Sequence, residues 1–313
     1  MEFIHAHRDR AQGGLRWGVE PICRVLTEHG VKIAPSTHYE WASKTDSARA
    51  ARDAELTGKI RDAYQASHQI YGARKIWVVL NRAGVQVARR TVERLTRAAG
   101  LKGVTRCRRK RTTVADPALP TPGDLVNRMF DPPAPGRLWV ADITCVSTWS
   151  GWVYVAFVQD CFSRRVLGWK AAASMTTDLV LAAIDQALDA RAREHHPVRP
   201  GRLVGHSGHG SQHMSVRYGE HLSRAGIARS AGTVGDSYDN AVAETLNGVY
   251  KAELVWHAGP WRTAAHLEYE TGCYLHWYNN QRIHEYDAYL SPAEYENHYY
   301  ERMAPATPEP DTN

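Results

Sequence analysis

The stretch Leu138-Trp139-Val140-Ala141-Asp142-Ile143-Thr144 is an apolar run that contains a single carboxylate. Short apolar runs rich in β-branched and aromatic residues are typical of buried β-strands. A carboxylate inside such a strand costs free energy unless it has a partner or a function. The run therefore predicts the first strand of a sheet and marks Asp142 as a candidate functional residue.

Two more strands and a series of alternating elements follow this run. Trp152–Gln159 and Arg165–Ala171 are separated by short connections, which predicts three antiparallel strands in succession. The later pattern predicts, in chain order, a helix over 176–193, a strand over 202–206, a helix over 215–225, a strand over 227–231, and helices over 239–255 and 263–278. The order β-β-β-α-β-α-β-α predicts an α/β fold of the ribonuclease-H-like class, with a mixed five-stranded sheet and flanking helices.

A second carboxylate lies in the predicted helix after the fifth strand. Glu244 belongs to the helix-like run Asp239–Leu246, and the segment His206–Gln212, with Gly208 in it, follows the fourth strand. Carboxylates placed on neighbouring strands and on this helix would converge, and hard oxygen ligands suit Mg²⁺ or Mn²⁺. Two such ions, about 3.5–4 Å apart, catalyse phosphoryl transfer on nucleic acids. Glycine, the residue at position 208, has no side chain that could bind such an ion.

The first third of the chain is strongly basic and the remainder is acidic. Residues 1–115 carry 23 Lys and Arg against 10 Asp and Glu, whereas residues 116–313 carry 16 against 23. The whole chain of 313 residues has a formal net charge of +6. This asymmetry indicates a polyanion-binding part followed by an acidic part that suits metal binding.

Two short helices around a glycine turn are predicted inside the basic third. Gly72–Arg82 and Ala88–Ala99 each show apolar residues at helical spacing, and Gly84 lies between them. This arrangement resembles a helix-turn-helix, and the run Lys102–Arg111 that follows holds six basic residues and no acid. A flexible linker is the alternative for that run. The residues predicted to contact DNA are Arg89, Arg90, Arg94, Arg106, Arg108, Arg109, Lys110 and Arg111.

These patterns divide the chain into five parts. They are an N-terminal helical segment (1–66), the helix-turn-helix-like region with its basic arm (67–114), a proline-rich linker (115–136), the α/β core with C-terminal helices (137–300) and a disordered tail (301–313). The sequence contains neither a membrane-spanning apolar run nor a secretory signal. The five cysteines include no C-x-x-C pair, which favours a reducing cytoplasm over a disulfide framework.

Six short motifs occur at separate places along the chain. They are Tyr71–Arg74, Trp139–Thr144, Val158–Arg165, Gly235–Glu244, Trp277–Arg282 and Ser291–Tyr295. Together they resemble motifs of the second-frame (OrfB) transposases of a large bacterial insertion-sequence family, and the resemblance extends over nearly the whole chain. The resemblance implies a catalytic core of the retroviral-integrase type and metal-dependent cleavage and strand transfer of DNA.

The same resemblance implies a catalytic triad of Asp, Asp and Glu. Asp142 matches the first acid and Glu244 the last, and both are implied ligands of Mg²⁺ or Mn²⁺, with two ions in an active relative. The second acid belongs to the family motif His-(Ser/Thr)-Asp-x-Gly-Ser-Gln. Here glycine stands at that place, position 208, although the family's interval of 35 residues before the glutamate is kept. His213 also departs from the usual Tyr.

The resemblance further implies partners and a location. The DNA partners are the terminal inverted repeats of the element and a target DNA. A first-frame (OrfA) protein, free or fused, is the implied protein partner, and several copies of the chain are implied on paired DNA ends. No membrane partner is implied, and the expected location is the bacterial cytoplasm at the nucleoid.

Gly208 predicts impaired catalysis. If the missing ligand costs ~4 kcal/mol of transition-state stabilisation, the rate falls about a thousandfold. His206 and His209 are poor replacements, because imidazole suits Mg²⁺ poorly. Asp160 matches a family position outside the catalytic triad, and Asp236 and Asp239 flank a helix start, where carboxylates usually cap the helix. Two other functions fit the sequence, a non-catalytic DNA-binding protein that occupies element ends and a general ribonuclease-H-like nuclease. The helix-turn-helix-like region argues against the nuclease.

Overall fold

The computed structural model describes residues 1–43, 47–105, 122–208, 210–232 and 240–303 of the chain. Helices make up most of the N-terminal third, and the strands of a five-stranded sheet lie between residues 138 and 231. None of the helices in these ranges combines the length and the apolar character that crossing a bilayer requires.

A small unit at the N-terminus packs three helices around its own core. Its elements are α1 (Glu2–His7), β1 (Ala11–Gln12), β2 (Leu15–Arg16), α2 (Val19–Glu28) and α3 (Pro35–Ala42). Ile4, Val19, Ile22 and Cys23 are buried together in this core. The helical character was predicted. The β1–β2 hairpin was not, because its two-residue strands are exposed and show no apolar alternation.

Three helices form the helix-turn-helix-like region. They are α4 (Ala48–Ala66), α5 (Ala73–Arg82) and α6 (Arg89–Ala98). The turn between α5 and α6 contains Gly84 at a φ of +81°, a left-handed conformation that glycine adopts without strain. The apolar positions at helical spacing face inward, as predicted, and include the buried residues Ile76, Leu80, Val92 and Leu95.

The central sheet has the predicted mixed, five-stranded form. Its strands are β3 (Leu138–Thr148), β4 (Gly151–Asp160), β5 (Val166–Ala172), β6 (Leu203–Ser207) and β7 (Ile227–Ala231). Their spatial order is β5-β4-β3-β6-β7. The first three strands pair antiparallel, whereas β3–β6 and β6–β7 pair parallel. Parallel pairs need a crossover connection, and helices supply it here.

Helices cover both faces of this sheet. They are α7 (Thr177–Arg193), α8 (Ser211–Met214), α9 (Val216–Arg224), α10 (Ala241–Tyr250), α11 (Ala264–Asn280) and α12 (Pro292–Met303). Residues of α7 and α9 pack on one face, and residues of α10 and α11 pack on the other. The prediction of one helix over 239–255 is wrong in its last part, because 251–255 form a π-helical turn. The α12 helix extends three residues into the predicted tail.

The helix-turn-helix-like region packs directly on the core. Ile76 and Val92 belong to the same buried cluster as Val155 of β4 and Tyr274 of α11. The backbone N–H of residue 283 also donates to the Tyr71 hydroxyl at 2.8 Å. The two regions therefore share one hydrophobic core.

The described end of the predicted linker, residues 122–136, also lies on the core. Val126 is buried beside Leu138, and the N–H of Leu125 donates to Ser230 Oγ at 3.0 Å. The boundaries of the five predicted parts stay predictions.

Candidate active site

Position 208 lies beside Asp142, where β6 ends. In the parallel pair of β3 and β6, Ala141 is the register partner of Ser207. The next residues along the two strands are Asp142 and Gly208, and neighbouring strands lie about 4.8 Å apart. Side chains at matching positions of adjacent strands project from the same face of a sheet. An acid at position 208 would therefore lie next to Asp142.

Helix α10 lies against this face and carries Glu244. Asn247 Nδ2 donates to Oδ2 of Asp142 at 2.8 Å. Asn240 lies at the N-terminal end of the helix, and its Nδ2 is 3.7 Å from the place that a Cβ on Gly208 would occupy. The exposed Glu244 stands between the two asparagines, at spacings that put all three on one side of the helix. The structure thus brings the three predicted positions together.

The surroundings of Asp142 disfavour its charge. Burial is the largest cause of a raised pKa, to about 6, and the nearby Glu244 carboxylate raises it further. The N–H of Ile143, which donates to Asp142 Oδ1 at 2.9 Å, Lys251 and Asn247 act in the opposite direction. A cation beside the half-buried Asp142 would stabilise the charged form of its carboxylate, so these electrostatics favour a positive group here.

The glycine at position 208 stands in a place that could hold a side chain. Gly208 does not have the left-handed φ that favours glycine, and among the described residues an added Cβ has one atom within 4 Å, Asn240 Nδ2 at 3.7 Å. That separation is an ordinary van der Waals contact. The described surroundings of position 208 therefore leave space for a side chain.

Sequence comparisons agree with this arrangement. Models of the "Integrase core domain" match residues 132–237 and 244–300, and an "HTH-like domain" model matches residues 51–111. A putative transposase for insertion sequence element IS986/IS6110 from Mycobacterium tuberculosis (strain ATCC 25618 / H37Rv) is 49% identical over 275 residues, which cover 88% of this chain and 99% of the relative. The transposase for insertion sequence element IS629 from Shigella sonnei is 44% identical over 290 residues, 91% and 93% of the two chains.

The chain belongs to the family of insertion-sequence transposases. Among solved structures, the catalytic core domain of BIV integrase is 19% identical and covers 54% of this chain and 99% of that one, with a TM-score of 0.40. The HTLV-2 integrase catalytic core domain in complex with magnesium is 16% identical over 52% of this chain and 98% of that one, with a TM-score of 0.38. The family assignment rests on the sequence relatives.

In this transposase, the described residues near the site offer no replacement acid. His206 is fully buried and its Nδ1 lies 2.9 Å from Ser230 Oγ, so it belongs to the packed interior. Asp160 is also fully buried, where it accepts from the Gly136 N–H at 2.8 Å and from Arg191 at 2.9 Å. Within the described ranges, no group of three or more His, Cys, Asp or Glu side chains could hold a metal ion. His209, Asp236 and Asp239 lie outside those ranges.

Three site residues were not predicted from the sequence. They are Asn240, Asn247 and Lys251. The sequence carries a pattern that could have identified them. Asn240 lies four residues before Glu244, Asn247 three after and Lys251 seven after, and these spacings put residues on the same side of a helix. Lys251 opens the π-helical turn after α10, and such turns are frequent at functional sites.

The predicted DNA-contacting residues of α6 lie on its exposed side. Arg94 pairs with Asp53 of α4 at 2.7 Å, and Arg89 pairs with Glu93 at 2.7 Å. Arg90 is exposed as well. The other predicted contacts lie outside the described residues, namely Arg106, Arg108, Arg109, Lys110 and Arg111.

His213, at the departure from the family's usual Tyr, is buried behind the site. It is 2% exposed and meets the Tyr218 ring edge-on, with centroids 5.3 Å apart. Burial lowers the pKa of its imidazole to about 4, and the charge of Arg229 adds to this effect. The folded transposase therefore holds His213 neutral.

We expect His213 to make the fold sensitive to acid. In the unfolded chain a histidine binds its proton near pH 6.5, so between about pH 6.5 and 4 the unfolded state binds more protons than the folded state. Stability is full above this window and falls as the pH decreases through it. The wild type should lose about 2 kcal/mol more than His213→Phe between about pH 7 and pH 5, as measured by denaturant unfolding. His276→Phe, at an exposed place on α11, should behave as the wild type, and equal losses in all three would contradict the account.

Proposed function

We propose that this transposase binds element ends through its helix-turn-helix-like region and carries an integrase-type active site that is impaired at its second acidic position. One observation carries the proposal. In the strand register Ala141 pairs with Ser207, so positions 142 and 208 come next on the two strands. The Glu244 carboxylate of α10 acts on Asp142, and position 208 is glycine. DNA is the substrate that the family implies, as terminal inverted repeats and as target.

The donor set suits a divalent cation, but with one carboxylate fewer than the family uses. Asp142 and Glu244 would hold Mg²⁺ or Mn²⁺, since both are hard cations that prefer oxygen ligands. The space that a Cβ on Gly208 would fill lies beside them. When bound, such ions activate the attacking oxygen and stabilise the leaving oxygen of a phosphodiester. With glycine at 208, we expect the chain to hold two ions poorly.

The chain's own residues define how a phosphodiester would meet this site. Asn247 and the Ile143 N–H fix the Asp142 carboxylate by hydrogen bonds to its two oxygens. Lys251 lies close enough for its positive charge to act on Asp142. The same charge favours the binding of a DNA phosphate beside Asp142. Glu244 is exposed and faces the solvent side from which a DNA strand would approach.

The test of DNA binding uses the exposed side of α6. Arg90→Ala should weaken binding to a labelled element end, because it removes one positive charge near the phosphates. The slope of log affinity against log salt should fall by about 1 in magnitude, in a gel-shift titration. Arg302→Ala, in the last turn of α12, is the control and should leave the slope unchanged. A loss for the control as large as that for Arg90→Ala would show that α6 is not the DNA-binding surface.

The alternative is a non-catalytic DNA-binding protein that occupies element ends. Gly208 and the exposed arginines of α6 favour it, because neither requires turnover. Specific binding of element ends without nicking, in Mg²⁺ and in Mn²⁺, would establish this alternative. A ribonuclease-H-like nuclease would instead cleave an RNA–DNA hybrid without selecting an end.

The remaining family expectations stay predictions. They are a first-frame (OrfA) partner or fusion, assembly of several copies on paired ends, and work at the nucleoid in the bacterial cytoplasm. Measuring the size of the complex between the chain and a pair of element ends, with and without the first-frame protein, tests both the OrfA partner and the number of copies.

A further inference from the structure

Asn240 is placed for a role that its position in the helix does not explain. It is the N-cap residue of α10, where asparagine usually accepts a hydrogen bond from the first turn. Its side chain makes no such bond. The residue is only 8% exposed, and its Oδ1 has no hydrogen-bond partner among the described residues. A buried amide oxygen without a partner costs free energy, and a hydrogen-bond donor or a cation beside it would remove that cost.

The amide of Asn240 reaches the place where the second acid is missing. Its Nδ2 lies 3.7 Å from the position of a Cβ on Gly208. Turning the amide by half a rotation exchanges its nitrogen and oxygen, so the same side chain can present either atom there. Asn247 differs, because its Nδ2 is held by Asp142. The Asn247 Oδ1 also has no partner among the described residues, but the bond from its Nδ2 to Asp142 fixes the orientation of that amide. No hydrogen bond between the Asn240 amide and a described acid fixes it in the same way.

We propose that Asn240 supplies its amide oxygen as the third protein ligand of one divalent cation, in place of the carboxylate that Gly208 removes. The other two ligands are Asp142 and Glu244, so the inference rests on the metal site of the proposed function. Amide oxygens bind hard cations as neutral ligands. The site therefore has one negative charge fewer than an Asp-Asp-Glu site, and it holds a single ion more weakly.

Titration of Mn²⁺ into the full chain tests this assignment without any catalytic readout. Free Mn²⁺ gives an electron paramagnetic resonance signal that disappears on binding, so the affinity can be read directly. We expect one Mn²⁺ per wild-type chain and an affinity at least about tenfold lower for Asn240→Ala. Asn240→Asp should bind more tightly than the wild type, because it replaces a neutral ligand by a charged one. Asn280→Ala, on the exposed side of α11, should bind as the wild type does.

A double-mutant cycle separates a ligand from a residue that only positions an acid. In a Gly208→Asp background the introduced carboxylate takes the third place, so Asn240→Ala should then have a smaller effect than in the wild type. An effect seen only in the Gly208→Asp background would overturn the ligand role. Equal Mn²⁺ affinity of wild type and folded Asn240→Ala, or no Mn²⁺ binding by the wild type, would also overturn it. Thermal unfolding of each variant confirms that the chains compared are folded.

These outcomes are distinct from failure of the proposed function. If Gly208→Asp gains strand transfer while Asn240→Ala leaves Mn²⁺ affinity unchanged, the active site stands and only the role of Asn240 falls. If Gly208→Asp binds no Mn²⁺ and remains inactive, the metal site itself is wrongly placed.

Discussion

Gly208→Asp is expected to raise strand transfer by this transposase about a thousandfold in Mn²⁺. The gain corresponds to ~4 kcal/mol of transition-state stabilisation from one restored metal ligand. Among the described residues an added Cβ has one close neighbour, Asn240 Nδ2 at an ordinary 3.7 Å, and the backbone φ is outside the left-handed region. The assay joins a labelled element end to a target duplex and counts joined products per chain.

The control for this gain is the same substitution two residues further on. At the exposed Gly210, the described neighbours of an added Cβ are side-chain atoms of Gln212 and His213, at 3.4 Å and 3.5 Å, so Gly210→Asp adds the same charge to the same segment. It should bring no gain, and Glu244→Gln should abolish the gain of Gly208→Asp. Equal activity of wild type and Gly208→Asp would contradict the view that the glycine limits catalysis.

Arg191→Ala is expected to destabilise the fold by about 3–5 kcal/mol. Arg191 is 2% exposed and donates to Asp160 at 2.9 Å and to Glu296 of α12. These two carboxylates are 0% and 1% exposed. Removing the guanidinium takes the ion-pair partner from Asp160 and leaves Glu296 with Arg165, whose Nη1 is 3.8 Å away. Denaturant unfolding should show a large fall in the midpoint, or the soluble yield should collapse.

An exposed arginine provides the matched control. Arg224 pairs with Glu220 on α9 at 3.2 Å, and its side chain is 78% exposed. Arg224→Ala should change the free energy of unfolding by less than about 0.5 kcal/mol, because exposed ion pairs contribute little. Similar losses for the two variants would mean that the buried network does not stabilise the core.

The central sheet and the meeting of positions 142 and 208 were predictable from local patterns. The sequence predicted a buried strand over Leu138–Thr148 and a short strand over 202–206, and the fold class predicted that the two are neighbours. The order of the strands then fixed which residues are neighbours. Glu244 was placed correctly because helical spacing is a local property.

Other features depend on contacts that are distant in sequence. The α12 helix lacks a clear apolar stripe, and one of its few buried residues is Glu296, which is held by Arg191 of α7. The packing of the helix-turn-helix-like region on the core likewise depends on Tyr71 meeting the backbone at residue 283. The role of Asn240 was hidden because asparagine at a helix start normally serves as a cap. No local pattern distinguishes these cases.

The central claim is that positions 142, 208 and 244 form one metal site. Its most direct test is a crystal structure of Gly208→Asp soaked with Mn²⁺, with data collected at the manganese absorption edge. We predict an anomalous peak about 2.1–2.2 Å from oxygens of Asp142 and of the introduced aspartate, with Glu244 facing the same site. Manganese bound elsewhere, or an introduced carboxylate directed away from Asp142 with no ion between them, would contradict the account.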